Sequence, residues 1–449
     1  MDSRRETVVE AGWIIPVEPA AVVLRDHAVV VADGHIQEIL PSRQARTRYP
    51  KAPRVELPGH ALIPGLINLH THAAMALMRG LGDDLGLMEW LNQHIWPAEM
   101  RLASPEFVHD GTLLACAEML RGGVTCFNDM YFFPEAAARA ALGAGMRAAL
   151  GIIIIDFRSP YATDAQDYLS KGLGTRDALK HESLLSFCLA PHAPFTVSDA
   201  IFERVAVYAD ELDLPVHIHL HETEEEIRES IASHKLRPLR RLQQLGLLGP
   251  NLIAVHAVHL ADDEIALLAE HGSHVAHCPS SNLKLASGIA PVAALDEAGV
   301  NVGLGTDGAA SNNRLDVLME MRLAALLAKG KSGKATAVPA HTSLRMATLN
   351  AARALGLDHA IGSLTPGKLA DMAAVDFSSL ELTPCYDPLS HLVYAAGREN
   401  VTHVWVNGEL LVEHGRLTRL DAEELRAKAA FWQDRIGSED PGLKRGTKP

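Results

Sequence analysis

The sequence predicts an α/β fold, a (β/α)8 TIM barrel of the metal-dependent hydrolase type with a small β-sandwich domain formed by both chain ends. Between about residues 61 and 370, eight apolar segments of strand length alternate with longer amphipathic segments. This alternation is typical of parallel βα units, and about 300 residues are enough to close an eight-stranded barrel. An open doubly wound sheet would need a glycine-rich phosphate loop after an early strand. Pro64-Gly65 instead precedes the first strand, which favours the barrel.

The two ends of the chain carry matching hairpin signals. Residues 28–32 and 35–39 flank Asp33-Gly34, and residues 402–406 and 409–412 flank Asn407-Gly408. Both dipeptides favour two-residue turns between antiparallel strands. We therefore expect residues 1–60 and 371–449 to form the sandwich, the latter with a C-terminal helix, and residues 61–370 to form the barrel.

Polar residues follow the predicted barrel strands, which span residues 62–69, 124–128, 147–155, 185–190, 215–220, 252–258, 273–278 and 300–305. Active residues of such barrels lie at the carboxyl ends of the strands. A single His-x-His is expected about once by chance among 23 histidines. Polar residues after five separate strands form a pattern that chance does not readily produce: His70 and His72, His192, His219 and Glu222, His256, and Asp307.

The composition and charge of the chain indicate which kinds of binding partner and which cellular compartment to expect. The net charge is −14 and the basic residues are scattered, which argues against nucleic acid or an anionic membrane as a partner. No signal-length apolar segment follows the start and no run of about 18 apolar residues occurs, so we expect a cytoplasmic protein. The five cysteines are far apart in sequence, which predicts reduced thiols.

Five sequence motifs follow the predicted strands or include their ends: PGLINLHTH (64–72), HLHET (219–223), VHAVH (255–259), HCPSSN (277–282) and GTDG (305–308). Together they resemble the amidohydrolase superfamily, and within it the 5′-methylthioadenosine/S-adenosylhomocysteine deaminase family. The resemblance covers nearly the whole chain and both predicted ends of the sandwich. It is more specific for the superfamily than for the substrate.

The resemblance implies one Zn²⁺ per chain, held by His70, His72, His219 and Asp307. Three imidazoles and one carboxylate leave a position for water, as in catalytic zinc sites. Fe²⁺ fits the same ligands. Ala190-Pro191-His192 stands after the fourth strand, where other branches carry a metal-bridging lysine, so a mononuclear site is favoured.

The same resemblance implies hydrolytic deamination of an adenosine-type nucleoside to its inosine analogue and ammonia. Asp307 would accept a proton from water, and His256 would hold that water. Glu222 would protonate the ring nitrogen and assist the departure of ammonia. Glu222 and Asp307 would also contact the substrate, Glu99 would bind the ribose hydroxyls and His192 the nucleoside. Arg158 lies close to where some relatives carry an arginine, which bears on the 5′ substituent.

Alternatives stay open at this point. Guanine deaminases and triazine hydrolases share the motifs, and a non-catalytic dihydropyrimidinase-like scaffold is disfavoured because every ligand and Glu222 are present. The resemblance also implies a homo-oligomer, dimeric or tetrameric. Glu224, Glu225 and Glu226 are interpreted as a solvated helix start. Residues that either pack the core or support the site are His217, His221, His259, His277, Trp90, Trp96, Met75, Met78, Met88 and Met100.

Overall fold

The computed structural model describes residues 6–439. Residues 1–5 and 440–449, which belong to the two predicted chain-end regions, lie outside the described residues. Its strands are β1 Glu6–Ile14, β2 Leu24–Ala32, β3 His35–Pro41, β4 Arg54–Pro64, β5 Leu66–Thr71, β6 Val124–Asp129, β7 Arg147–Ile154, β8 Leu185–Pro191, β9 Val216–Leu220, β10 Leu252–His256, β11 His274–His277, β12 Asn301–Leu304, β13 Met372–Asp376, β14 Val401–Val406, β15 Glu409–Glu413 and β16 Arg416–Leu417.

The helices follow most barrel strands and also cover the chain ends. A π-helical turn, Leu91–Ile95, joins α2 to α3, and 3₁₀ turns span Ala73–Met78, Leu380–Leu382 and Arg398–Asn400. The α-helices are α1 Ser42–Arg48, α2 Leu87–Trp90, α3 Trp96–Leu102, α4 Pro105–Arg121, α5 Pro134–Ala144, α6 Ala165–Leu179, α7 Asp199–Leu212, α8 Glu224–His234, α9 Pro238–Gln244, α10 Asp262–Glu270, α11 Pro279–Lys284, α12 Val292–Glu297, α13 Ala309–Asn312, α14 Val317–Ser332, α15 Ala340–Met346, α16 Leu349–Ala354, α17 Pro388–Tyr394 and α18 Ala422–Glu439.

The eight strands β5 to β12 form one parallel sheet in chain order, which confirms the predicted barrel. The sheet closes between its first and last strands, where the N–H groups of Thr306 and Asp307 donate to the carbonyl of His70 at 3.1 and 2.9 Å. Gly305 permits this approach, because a Cβ there would lie 2.8 Å from the His70 nitrogen. Closure thus brings two candidate site residues, His70 and Asp307, directly together.

The chain ends combine into one mixed eight-stranded sheet of order β16-β15-β14-β13-β4-β1-β2-β3. Both predicted hairpins are confirmed, with Ala32 paired to His35 and Val406 paired to Glu409. The sheet folds back on itself, because Ala370 donates its N–H to Gly34 and accepts one from Gly408, at 2.8 and 3.0 Å. This curvature encloses a core that includes Val9, Val29, Leu62, Met372 and Trp405.

The predicted first barrel strand, residues 62–69, is wrong at its start. Leu62 belongs to β4, where it pairs with Ala374 of the end sheet, and the barrel strand begins only at Leu66. Gly65 separates the two sheets. A Cβ at Gly65 would lie 2.1 Å from Thr125 Oγ1, so a side chain does not fit at this crossing. The apolar run is continuous in sequence, although it serves two different sheets.

A buried ion pair joins the barrel to the end sheet. Arg147 at the start of β7 donates from Nε and Nη2 to the carboxylate of Asp371, at 2.9 and 3.2 Å. Asp371 also accepts the backbone N–H of Asn407 at 2.7 Å. Both charged side chains are almost completely buried, so each depends on the other for compensation.

The five cysteines are all free thiols, as predicted. Across residues 6–439, none of the helices combines the length and apolarity that crossing a membrane would require.

Candidate metal centre and active site

Four histidines and one aspartate converge at the carboxyl ends of the barrel strands. His70 lies in β5, His72 directly after it, His219 in β9, His256 at the end of β10, and Asp307 after β12. Ring nitrogens of His70, His72 and His219 lie within 4.8 Å of one another, as do ligand atoms of His70, His256 and Asp307. The predicted strand ends therefore meet at one point.

The three imidazoles of His70, His72 and His219 are oriented alike by contacts behind them. The Nδ1 atom of His72 lies 2.6 Å from the carbonyl of Met130, and that of His219 lies 2.7 Å from the carbonyl of His192. A carbonyl oxygen can only accept a hydrogen bond, so the Nδ1 atom of each of these two rings carries the proton. The Nε2 atom of each ring therefore has a free lone pair, which points to the place where the histidines converge, called here the centre. His70 likewise uses Nδ1 outside the centre, 3.0 Å from Nε2 of His217.

Asp307 is held as an ionised carboxylate facing the same centre. Its Oδ1 lies 3.3 and 3.2 Å from Nε2 of His70 and His72, and its Oδ2 accepts hydrogen bonds from Ser281 and Ser311 at 2.6 and 2.7 Å. Burial acts to raise the pKa of Asp307, but the neighbouring imidazoles of His70 and His72 outweigh it. The pKa is therefore held well below its ordinary value.

This donor set fits a divalent metal ion. Imidazole Nε2 atoms and a carboxylate converge, each ligand is oriented by a further hydrogen bond, and His70 Nε2 makes no hydrogen bond of its own with any described residue. Such outer hydrogen bonds are what metal-binding histidines and carboxylates require. His70, His72, His219 and Asp307 could hold the ion, and His256 lies within reach of the same point.

Glu222 and His256 lie beside this centre. The carboxylate of Glu222 accepts a hydrogen bond from Ser287 at 3.1 Å and lies 3.7 Å from His256 Nε2. Burial raises the pKa of Glu222 above its ordinary value, although His256 opposes the rise. His256 is fixed by Asn282, whose Oδ1 lies 2.8 Å from its Nδ1. A buried carboxyl with a raised pKa is suited to proton transfer.

The interpretation of Glu226 as part of a solvated helix start is wrong. Its carboxylate is buried and accepts the backbone N–H groups of His221 and Glu222, at 3.0 and 2.8 Å. Thr223 Oγ1 in turn accepts the N–H of Glu226 at 3.2 Å and caps α8. Burial raises the pKa of Glu226 to about 8, against the two backbone hydrogen bonds. Glu226 thus fixes the main chain from which Glu222 projects.

A cavity of about 230 Å³ opens over the centre and contains the predicted substrate contacts. Burial raises the pKa of Glu99 to about 7, opposed by the Tyr131 hydroxyl and by His72. The ring of His192 is fixed by Thr196, whose Oγ1 lies 3.0 Å from its Nδ1. Arg158 is exposed at the cavity and makes no hydrogen bond or ion pair with the described residues.

Apolar side chains form much of the cavity wall. Of the aromatic and methionine candidates, Trp90, Trp96, Met75, Met88 and Met100 line it, whereas Met78 is buried and not among the lining residues.

The remaining candidate histidines have different positions. His221 lies beyond the end of β9 with φ of 56°, and its Nε2 accepts the N–H of Leu239. Because the strand has ended before His221, the strand alternation of side chains does not place its ring beside that of His219. His259 donates from Nε2 to the carbonyl of Ser287, the residue that bonds Glu222. His277 is buried, and neither of its ring nitrogens has a hydrogen-bond partner among the residues described.

Comparison with known proteins agrees with this geometry. The model described as "Amidohydrolase family" matches residues 61–411. The chain belongs to the amidohydrolase family. A relative from Teredinibacter turnerae, named 5-methylthioadenosine/S-adenosylhomocysteine deaminase, is 50% identical over 430 residues, covering 96% of this chain and 97% of the relative.

Two further proteins that are similar to this chain have names that also describe adenosine-type deaminases. A 5′-deoxyadenosine deaminase from Methanothermobacter thermautotrophicus is 46% identical over 363 residues, covering 81% of this chain and 84% of the relative. The crystal structure of an adenosine deaminase from Xanthomonas campestris with bound zinc has a TM-score of 0.95 and 51% identity, covering 96% of this chain and 98% of that one. This amidohydrolase chain is thus similar to deaminases over nearly its full length.

Sequence reasoning missed several residues that support this amidohydrolase site. Ser281 and Asn282 lie within the HCPSSN motif, where their presence was a usable signal. Thr223 and Glu226 have the spacing of a capping box, which was a usable signal that Glu226 turns back toward the start of its helix. Ser287 and Ser311 carry no such pattern, and their roles depend on how the loops fold over the strand ends.

Proposed function

We propose that this chain is a zinc-dependent aminohydrolase. It converts an adenosine-type nucleoside, namely 5′-methylthioadenosine, S-adenosylhomocysteine or adenosine, to the inosine analogue and ammonia. The names of its relatives support a purine nucleoside as the substrate. The observation that carries the proposal is Glu222, a buried carboxyl beside His256 and next to the convergent histidines.

The binding roles follow from the shape and polarity of the cavity. Glu99 accepts hydrogen bonds from the ribose hydroxyls with its two carboxylate oxygens. His192 contacts the nucleoside, and the apolar wall accommodates the base and an uncharged 5′ substituent. Arg158 at the rim faces the end of a longer substituent. These groups orient the purine with its amino-bearing carbon toward the centre.

The chemical roles use groups already poised for proton transfer. Zn²⁺, one per chain on His70, His72, His219 and Asp307, supplies Lewis-acid activation of water when bound. Asp307 accepts a proton from the attacking water. His256 holds that water in place through its ring. Glu222 protonates the ring nitrogen next to the attacked carbon. Its carboxylate then takes the proton of the new hydroxyl group as the carbonyl forms, and delivers it to the amino group, which leaves as ammonia. The proton taken up by Asp307 restores the acid form of Glu222 for the next turnover.

The test replaces Glu222 by glutamine, which keeps the shape but cannot transfer a proton. We expect deamination, followed by the adenine absorbance and by ammonia release, to fall by about 10²- to 10⁴-fold while zinc content is retained. Glu224→Gln is the matched control, because Glu224 is exposed at the first position of α8. An active Glu222→Gln enzyme would rule out the proton-transfer role.

A substrate screen separates the nucleoside proposal from its alternatives. It compares adenosine, 5′-methylthioadenosine and S-adenosylhomocysteine with guanine. Reaction of guanine alone would overturn the nucleoside assignment. The domain division at residues 60 and 370, the cytoplasmic location and the dimeric or tetrameric state stay predictions.

A further inference from the structure

His217 contacts His70 on the side of that ring that faces away from the proposed metal centre. It lies in β9 two residues before His219, its side chain is completely buried, and its Nε2 is 3.0 Å from Nδ1 of His70. The two rings meet edge to face at 4.9 Å and 73°. The other ring nitrogen of His217, Nδ1, has no hydrogen-bond partner among residues 6–439.

The position of His70 assigns the direction of this hydrogen bond. Nε2 of His70 faces Asp307 Oδ1 at 3.3 Å, so Nδ1 is the nitrogen remote from the centre. A neutral imidazole that gives its Nε2 lone pair to a metal carries its proton on Nδ1. That N–H must donate, and His217 Nε2 is the acceptor. His217 is therefore neutral, with its own proton on the unpartnered Nδ1.

The hydrogen-bond acceptor of His70 differs in kind from the acceptors of the other two proposed histidine ligands. His72 and His219 donate to main-chain carbonyls, those of Met130 and His192, which the fold itself supplies. His70 instead depends on a side chain, and therefore on the identity of one residue. A buried N–H without an acceptor is unfavourable, so an apolar residue at position 217 would fit the barrel better unless the bond to His70 compensates.

We propose that His217 is a positioning residue that holds His70 in its metal-binding tautomer and orientation, and that it thereby sets the affinity for the divalent ion. This inference rests on the proposed metal centre. Outer hydrogen bonds of this kind typically change metal affinity by about 10- to 100-fold. The acceptor atom at the His217 Nε2 position is the determining feature.

The experiment measures zinc affinity of the full-length protein by competition with a chelator, without reference to any substrate. His217→Leu removes the acceptor, and we expect zinc affinity to fall by about 10- to 100-fold. His217→Gln can place its Oε1 near the same position, and we expect affinity within a few-fold of the wild type. Thermal denaturation of the metal-free proteins establishes that each variant is folded.

His274→Leu is the matched control. His274 is buried in β11 and pairs with Ile253, the same residue that pairs with His217, but its ring bonds to Asn301 rather than to a metal ligand. Wild-type affinity in His217→Leu, or equal losses in His217→Leu and His274→Leu, would overturn the proposal. So would a loss in His217→Gln as large as that in His217→Leu. A wild-type protein that takes up no zinc would instead overturn the metal centre itself.

Discussion

Replacing Glu226 by glutamine tests whether the main chain around Glu222 must be held from inside α8. The carboxylate accepts two N–H groups, from His221 and Glu222, at 3.0 and 2.8 Å. The glutamine Oε1 can accept one of them, but its Nε2 is a donor and faces the other N–H. One buried hydrogen bond is lost and one buried N–H is left without an acceptor.

The expected loss of stability follows from the one buried N–H group that is left without an acceptor. A buried donor left unsatisfied costs about 1–3 kcal/mol, so the free energy of unfolding should fall by that amount. The catalytic effect is separate, because displacement of a reacting group by about 1 Å can cost about 10²-fold in rate. We expect kcat to fall by about 10- to 100-fold in Glu226→Gln, with zinc content unchanged.

Denaturant titration and steady-state deamination kinetics measure the two effects on the same samples. Glu224→Gln, which changes an exposed carboxylate on the same helix, is the control. Wild-type kcat and wild-type stability in Glu226→Gln would refute the positioning role. A loss of stability with unchanged kcat would show that Glu226 supports α8 but not Glu222.

Further predictions concern two buried places in the structure, Glu99 and the ion pair of Arg147 with Asp371. Because burial raises the pKa of Glu99 to about 7, its carboxylate is protonated at lower pH, so the KM for the nucleoside should rise as pH falls through about 7, and Glu99→Gln should remove this dependence. The same raised pKa should make the free energy of unfolding fall as pH rises from 4.5 to about 7. Arg147→Met should lower the free energy of unfolding by about 3–5 kcal/mol, because it leaves Asp371 buried and unpaired. The double variant Arg147→Met/Asp371→Leu should recover most of that loss in a denaturant titration, and a double variant no more stable than the single one would contradict this account.

The candidate ligands could be located from the sequence because a parallel barrel converts a linear pattern into a spatial one. The carboxyl ends of all its strands lie on one face, so a polar residue just after an apolar run is placed near the others without knowledge of any contact. His70, His219 and Asp307 met this condition and converge. The same rule could not separate Leu62 from Leu66, because an apolar run does not record which sheet each part joins.

The residues that support the ligands could not be located in this way. Glu224, Glu225 and Glu226 are identical in type and adjacent, but only the third, three residues after the helix cap Thr223, is seen to accept the backbone N–H groups of His221 and Glu222. Likewise, alternation places His217 on the same face as His219, but it does not identify a partner 147 residues away in β5. Such contacts depend on backbone conformation and strand register, which single-residue patterns do not encode.

The segment from β9 into α8 shows why one short stretch carries so much of the proposed site. His217 and His219 are two residues apart, which is the strand period and places both on one face. Glu222 follows His219 by three residues across the turn, and Glu226 lies four residues later, in the first turn of α8. One continuous segment thus contains a proposed metal ligand, the hydrogen-bond partner of a second proposed ligand, the proposed proton donor, and the carboxylate that bonds the main chain of that donor. The proposed chemistry therefore depends on the exit of β9 as well as on the His-x-His pair of β5.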